Sequence, residues 1–272
     1  MFDFGKNWQD FSTRVLDDGH LAQARDSLVG LLGCDSLAGR SFVDVGFGSG
    51  IFSIAARQLG ADPVVGIDVS AESVEAACTN ARRFLENRPA PESRLASILD
   101  SGTVESLGQF DVVYAWGVLH HTGRMWDAVR NTAALVKPGG LLALAVYNRH
   151  VTSPPWKAIK WCYNHVPRLL QRIMVLGFMP AIFLAKFLVT RKSPLRKRRG
   201  MDFRTDVVDW LGGYPYEYAR ADDVVSFVTA LGFRLSRMTR PATPIGCNEF
   251  VFVRTADEDD SQAPRAGRAG ES

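Results

Sequence analysis

From Ser41 the chain alternates between short runs that are almost wholly apolar and longer stretches whose apolar residues recur at helical spacing. Ser41–Val45, Pro63–Ile67, Phe110–Ala115 and Leu141–Tyr147 read as buried strands, with a weaker one at Arg94–Ile98. Between them Ile51–Leu59, Ala71–Leu85 and His121–Val136 read as helices, the second capped by Ser70. A turn at Lys137-Pro138-Gly139-Gly140 opens the fifth strand. Strands alternating with helices in this way imply a parallel sheet with right-handed crossovers. Strands apolar on both faces imply helices on both faces.

After Tyr147 the alternation stops. Residues 148–200 are helical in pattern and end in a basic run, then Ala221–Leu231 reads as a helix and Phe233–Met238 and Asn248–Arg254 as strands six and seven. Residues 1–40 carry short helical patterns. Residues 255–272 offer no core residue and read as a disordered tail. The expected organisation is an N-terminal helical segment (1–40), an α/β domain (41–147 and 201–254), a helical, apolar and basic cap (148–200) and the tail (255–272).

The first strand runs into Asp44-Val45-Gly46-Phe47-Gly48-Ser49-Gly50 and then a helix. Glycines there let the backbone approach a ligand closely, and the helix start behind them offers N–H donors. A dinucleotide fingerprint would need its last glycine where Ile51 stands, so the spacing favours a compact ligand over a pyrophosphate. Asp68 ends the second strand, where a carboxylate can accept both hydroxyls of a ribose. Asp44, at the end of the first, is placed to receive a ligand amino group directly or through water.

The segments VDVGFGSG (43–50), GIDVS (66–70), ILDSG (98–102), FDVVYAWGVLHHT (110–122) and LVKPGGLLALAVYN (135–148) together resemble the class I S-adenosylmethionine-dependent methyltransferases. Within them the chain is similar to bacterial ubiquinone-biosynthesis and small-molecule O-methyltransferases. The resemblance covers roughly residues 40–150 and is looser beyond. It implies a Rossmann-like, doubly wound seven-stranded sheet of order 3-2-1-4-5-7-6, with residues 248–254 as the antiparallel strand. It also implies S-adenosyl-L-methionine as cofactor. Asp44, Gly46, Gly48 and Gly50 would then shape the methionine pocket. Asp68 would hold the ribose, with Val69 against the adenine. Leu99 and Asp100 would face the adenine ring and its amino group, and Trp116 and Gly117 would flank the cofactor on the acceptor side.

Methyl transfer from a sulfonium asks the protein mainly for proximity and orientation. An oxygen acceptor also needs its proton removed, which suits histidine near neutral pH. His121 is the first candidate for that base and His120 the second; capping of the following helix is the alternative for both. Asn148, Tyr214, Tyr216 and Glu217 are candidate acceptor contacts, with Asn248 and Glu249 directed to the same cleft. No metal site is expected, since no compact ligand set appears.

Length and composition change this picture little. A chain of 272 residues, 46% hydrophobic and 22% charged, suits one soluble α/β domain with a cap. Cys34, Cys78, Cys162 and Cys247 are scattered, which fits a reducing cytoplasm, and no signal peptide is evident. A net charge of +3 is too small to imply nucleic acid. The cap leaves two readings open. It is a lid walling an apolar or phenolic acceptor site, or residues 156–199 contact a membrane surface, with Arg168, Arg172, Arg191, Lys192, Arg196, Lys197, Arg198 and Arg199 meeting anionic headgroups. Oligomeric state is not legible. The competing functions are an RNA methyltransferase and a catalytically silent, cofactor-binding assembly partner; an NAD oxidoreductase is disfavoured by Ile51.

Overall fold

The computed structural model describes residues 5, 9, 12, 16–86, 88–191, 203–241 and 246–255, without the side chains of residues 186, 189, 190, 204–206 and 209. Most of the expected tail, residues 192–199 of the basic run and most of the first fifteen residues lie outside them.

Seven strands form one sheet: β1 (Phe42–Val45), β2 (Val64–Asp68), β3 (Glu92–Leu95), β4 (Phe110–Trp116), β5 (Val136–Tyr147), β6 (Phe233–Thr239) and β7 (Cys247–Arg254). Their order is β3-β2-β1-β4-β5-β7-β6. The first five run parallel, and β7 pairs antiparallel with both β5 and β6. This is the doubly wound order that the sequence resemblance implies.

The pleat sorts the strand residues into two cores. Val43, Val45, Val113, Ala115, Leu144 and Val146 face α5 (Met125–Ala134) and α9 (Ala221–Ala230), whose Ala128, Val129, Val224 and Val228 complete one cluster. Phe42, Val64, Val112, Tyr114 and Ala143 face the other way, against Leu21, Ala24 and Leu28 of α1 (Asp18–Leu32) and Ile54 and Ala55 of α2 (Ile51–Gln58). The helices α3 (Ala71–Phe84) and α4 (Ser101–Leu107) complete the crossovers. Every strand's carboxyl end on the parallel side therefore opens on one edge, where ligands of such sheets bind.

Three boundaries differ from expectation. The third strand pairs earlier, over Glu92–Leu95, because Ser97 and Asp100 draw the chain into a turn and Asp100 caps α4. The single helix expected over His121–Val136 is broken by Gly123 at φ +74° into a 3₁₀ turn (Leu119–His121) and α5. The Lys137–Gly140 turn is absorbed into β5 as an irregularity, since Phe110 pairs with Val136 but Val112 with Leu141.

The cap consists of α6 (Ser153–His165), α7 (Arg168–Thr190) and α8 (Phe203–Gly212). They share a small core of their own, with Tyr163, Val175, Val207 and Leu211 buried at its centre. The helices packed there thus include α8, from the stretch that the pattern alone assigns to the α/β domain.

Candidate active site

Gly46, Gly48 and Gly50 all have positive φ, at +72°, +55° and +73°. At two of them the space is also closed to a side chain. A Cβ on Gly50, the N-cap of α2, would lie 2.7 Å from Ala77 Cβ. A Cβ on Gly46 would lie 2.3 Å from Val118 Cγ2. The turn that carries the histidines is therefore packed directly on the glycine loop.

Two carboxylates frame this cradle. Asp68 accepts the Gly48 N–H at 3.0 Å and the Ser70 N–H at 2.9 Å, which ties the end of β2 to the loop. Burial raises its pKa, against the lowering effect of those bonds. Asp44 is buried and accepts the Ser53 hydroxyl at 2.7 Å. Burial pushes its pKa up to about 7, aided by the neighbouring charge of Asp68. Such a carboxyl is poised to become a full anion when a cation arrives beside it.

Beyond the cradle, Val69 is 70% exposed, an apolar surface at the end of β2. Leu99 is half-buried against the sheet core. Asp100 is exposed and accepts both the N–H and the hydroxyl of Thr103, so the residue expected at the adenine amino group also serves as a helix cap. Trp116 donates its indole N–H to Glu249 at 3.1 Å across β5. Gly117 has φ +78° and open space where a side chain would stand.

His120 and His121 lie in the 3₁₀ turn after β4, their ring centroids 4.5 Å apart. His120 is fully buried, its ring 3.9 Å from that of Tyr147. His121 Nδ1 lies 2.7 Å from the Pro215 carbonyl oxygen. A carbonyl only accepts, so Nδ1 carries the proton and Nε2 is the basic nitrogen. The loop is clamped from the other side by the Glu217 N–H, which donates to the His120 carbonyl at 2.9 Å.

Lys160 from α6 is fully buried beside this pair. Its ammonium donates to the Trp210 carbonyl and stands 4.1, 4.8 and 5.9 Å from the ring centroids of Trp210, Tyr216 and Tyr147. Asn164, one turn on, donates to the Gly212 carbonyl at 2.9 Å, so the two side chains satisfy the end of α8. Burial and the Lys160 charge lower the pKa of His121 to about 3, and burial, His121 and Lys160 push that of His120 well below its ordinary value. Both imidazoles are neutral at physiological pH, lower in basicity than the near-neutral match expected from the sequence.

The expected acceptor contacts divide. Asn148 lies at the cleft edge, its side-chain oxygen accepting from the buried Asn248 at 3.0 Å. Tyr214 is partly exposed. Tyr216 is fully buried inside the aromatic box, which raises its hydroxyl pKa to about 12. The Glu217 carboxylate accepts the Met125 N–H at 3.0 Å at the start of α5, so it supports the turn from behind. Lys160, Tyr147 and Ser53 were not singled out from sequence. The signal for Lys160 was its place on one helix face with Trp156 and Tyr163, at i−4 and i+3. Among the described residues no group of His, Cys, Asp and Glu is arranged to hold a metal ion.

Comparison with known families decides the identity. A profile described as a methyltransferase domain matches residues 19–187, more than half of the chain. The chain belongs to this methyltransferase family. Its sheet order is that of the class I members. Among curated relatives, this methyltransferase is 40% identical over 118 residues to a ubiquinone biosynthesis O-methyltransferase of Bordetella avium, covering 43% of this chain and 47% of that protein. It is 35% identical over 131 residues to a ribosomal protein L11 methyltransferase of Burkholderia vietnamiensis, covering 44% and 40%. The chain thus spans less than half the length of these relatives. Among solved structures, the magnesium protoporphyrin IX methyltransferase of Synechocystis PCC 6803, crystallised with S-adenosylhomocysteine, superposes with a TM-score of 0.57 at 18% identity over 92% of this chain and 94% of that one. An O-methyltransferase family protein of Burkholderia thailandensis gives 0.55 at 15% identity, over 89% and 59%. These last two likenesses speak for the fold.

Proposed function

We propose that this methyltransferase uses S-adenosyl-L-methionine to methylate an oxygen of a small, apolar or phenolic acceptor. The observation that carries the reading is the packing of Val118 on Gly46, which sets the histidine turn against the cofactor cradle. The residues fit the cofactor: a glycine loop closed to side chains, a carboxylate at the end of β2, and a buried carboxyl whose pKa of about 7 suits an incoming cation. When bound, the cofactor supplies a methyl group on a sulfonium, a leaving group that needs no acid.

The chain's own work is binding, orientation and proton removal. Gly46, Gly48 and Gly50 shape the methionine pocket and Asp44 receives the amino group. Asp68 takes the ribose hydroxyls, Val69 and Leu99 flank the adenine, and Asp100 meets its amino group. Trp116 and Gly117 bound the acceptor side. His121 takes the acceptor proton at Nε2 while Pro215 holds Nδ1; His120, behind it, fixes the turn. His121→Ala is expected to lower turnover about 100-fold with S-adenosylhomocysteine affinity kept. Turnover at the level of the unaltered protein would remove His121 from this role.

The cap reads as a lid that also rests on an anionic membrane surface. Residues 148–200 contain 12 of the chain's 32 Lys and Arg and no Asp or Glu, which leaves 20 basic against 29 acidic residues elsewhere. Along α7, Leu169, Ile173, Leu176 and Leu184 are 55–70% exposed. The window Arg168–Ala185 has a mean hydropathy of 1.5 and is long and apolar enough to cross a membrane, but it carries Arg168 and Arg172 within it, and an interfacial position suits it better. Co-sedimentation with phosphatidylglycerol vesicles, and not with phosphatidylcholine vesicles, is the expected result; equal behaviour with both would end the membrane reading. A reducing cytoplasm suits the four free cysteines.

A further inference from the structure

Next to the aromatic box, at the same edge of the sheet, three exposed arginines line one hollow. Arg149, Arg220 and Arg240 line a cavity of about 260 Å³ together with Asn148, Asp222 and Asn248. A second cavity of about 550 Å³ shares Arg149 and Arg220 and continues to Tyr218 and His150. The two share this wall in a cleft beyond the end of β5 and the start of β7.

These arginines differ from others in the molecule. Arg57, Arg237 and Arg254 each donate to a carbonyl or carboxylate of the chain. Among the described residues, the side chains of Arg149, Arg220 and Arg240 make no hydrogen bond and no ion pair, and Asp222 on the same lining is not within ion-pair distance of any of them. Like charges collected around a hollow repel one another, and the arrangement is relieved when an anion enters. Guanidinium forks match carboxylate and phosphate oxygens in pairs. The start of α9 at Ala221 adds N–H donors to the same lining.

The position of this cleft relates it to the methyl-transfer site. The Arg149 N–H donates to the Ala219 carbonyl at 2.9 Å, and the Ala219 N–H donates to the Tyr147 carbonyl at 3.0 Å. The Tyr147 ring lies 5.5 Å from that of His121. Two residues of extended chain separate Tyr147 from Arg149, roughly 7 Å. The lining of the cleft is thus joined through the Ala219 backbone and Tyr147 to the wall of the His121 site.

We propose that Arg149, Arg220 and Arg240 form an anion subsite that holds a carboxylate or phosphate group of the acceptor, which makes the acceptor a hydroxylated, apolar or aromatic acid. Its assignment to the acceptor rests on the methyl-transfer reading; the anion site itself does not.

The test is binding to the full chain at low ionic strength, with and without S-adenosylhomocysteine, using benzoate, phenyl phosphate, inorganic phosphate and neutral benzamide as probes. Benzoate and phenyl phosphate are expected to bind at least 10-fold more tightly than benzamide, and to weaken as salt rises. The double variant Arg220→Gln/Arg240→Gln should lose at least 10-fold of that affinity, with melting temperature and S-adenosylhomocysteine affinity unchanged. Arg25→Gln, on α1, should change nothing. Equal affinity for benzamide, or unaltered binding in the double variant, would overturn the subsite. Inorganic phosphate binding as tightly as phenyl phosphate would overturn its assignment to the acceptor. No step of this test needs methyl transfer. A chain that fails to bind S-adenosylhomocysteine but still binds the anions would therefore sink the enzymatic reading and leave the subsite standing.

Discussion

Val118 and Gly46 touch so closely that the glycine's missing side chain is the space that Val118 fills: a Cβ there would lie 2.3 Å from Val118 Cγ2. Gly46 also holds φ +72°, a conformation that costs an ordinary residue roughly 1–2 kcal/mol. Gly46→Ala is therefore expected to lower stability by about 2–4 kcal/mol and to push the histidine turn away from the loop. Chemical denaturation and S-adenosylhomocysteine titration check both parts. A variant that keeps both stability and affinity would show that the two loops are not mechanically joined.

The proposed contact of Asp44 with the cofactor's amino group carries a pH dependence. With a pKa near 7 it is partly protonated in the unliganded protein at neutral pH, whereas a ligand ammonium beside it favours the carboxylate. Affinity should fall, by up to about tenfold per unit, as pH drops below 7, and binding at pH 6.5 should release protons. Calorimetry in two buffers of different ionisation enthalpy reads that release directly; identical enthalpies would separate Asp44 from the ligand's amino group. The same shift acts on folding. A carboxyl whose pKa is raised on folding contributes stability below its unfolded value that is lost as pH rises through 7. Asp44→Asn should accordingly be more stable than the unaltered chain at pH 8, and less able to bind cofactor.

The buried histidines work in the opposite sense. Their folded pKa values lie below the unfolded one, so the stability they contribute is present above about pH 6.5 and is lost as pH falls, for His121 through about 3. Lys160→Met removes the nearby cation and should raise the His121 pKa, as NMR titration of the ring would show. It should also weaken the fold at pH 7 by about 1–3 kcal/mol, because the Trp210 carbonyl loses a charged donor. A His121 titration unmoved by the substitution would mean that burial alone sets its state.

The proposed place of Trp116, between cofactor and acceptor, is open to a spectroscopic check. Its indole donates to Glu249 of β7, across the intervening β5 and far away in sequence. Glu249→Ala should remove this bond to the indole, shift the tryptophan emission and reduce the change seen on adding S-adenosylhomocysteine. An identical fluorescence response would place Trp116 away from the ligand.

Much of this was legible in the residues themselves. The sheet, its glycine turn and Asp68 follow from apolar runs, glycine spacing and strand ends, all local signals. The third strand was misjudged because Ser97 and Asp100 bond to their own neighbours and take the backbone out of the sheet, a local competition that an apolar count does not register. Gly123 marks the broken helix, within the polar run His121-Thr122-Gly123-Arg124 that precedes Met125. The largest gap lay at Lys160. A lysine on an apolar stripe reads as an edge residue until α6, α8 and the 214–218 loop come together, 50 residues apart, and enclose its ammonium in aromatic faces. Glu217 and Tyr216 show the same effect: aromatic and acidic residues in a loop suggested acceptor contacts, and packing turned both inward.

The most direct test is calorimetric titration of the purified chain with S-adenosylmethionine and S-adenosylhomocysteine, with NADH as control and Asp68→Ala alongside. The account predicts micromolar, one-to-one binding of the first two, none of NADH, and a loss of roughly 1–3 kcal/mol in the variant. A folded chain that binds neither sulfur ligand, or an Asp68→Ala variant that binds them unchanged, would contradict it.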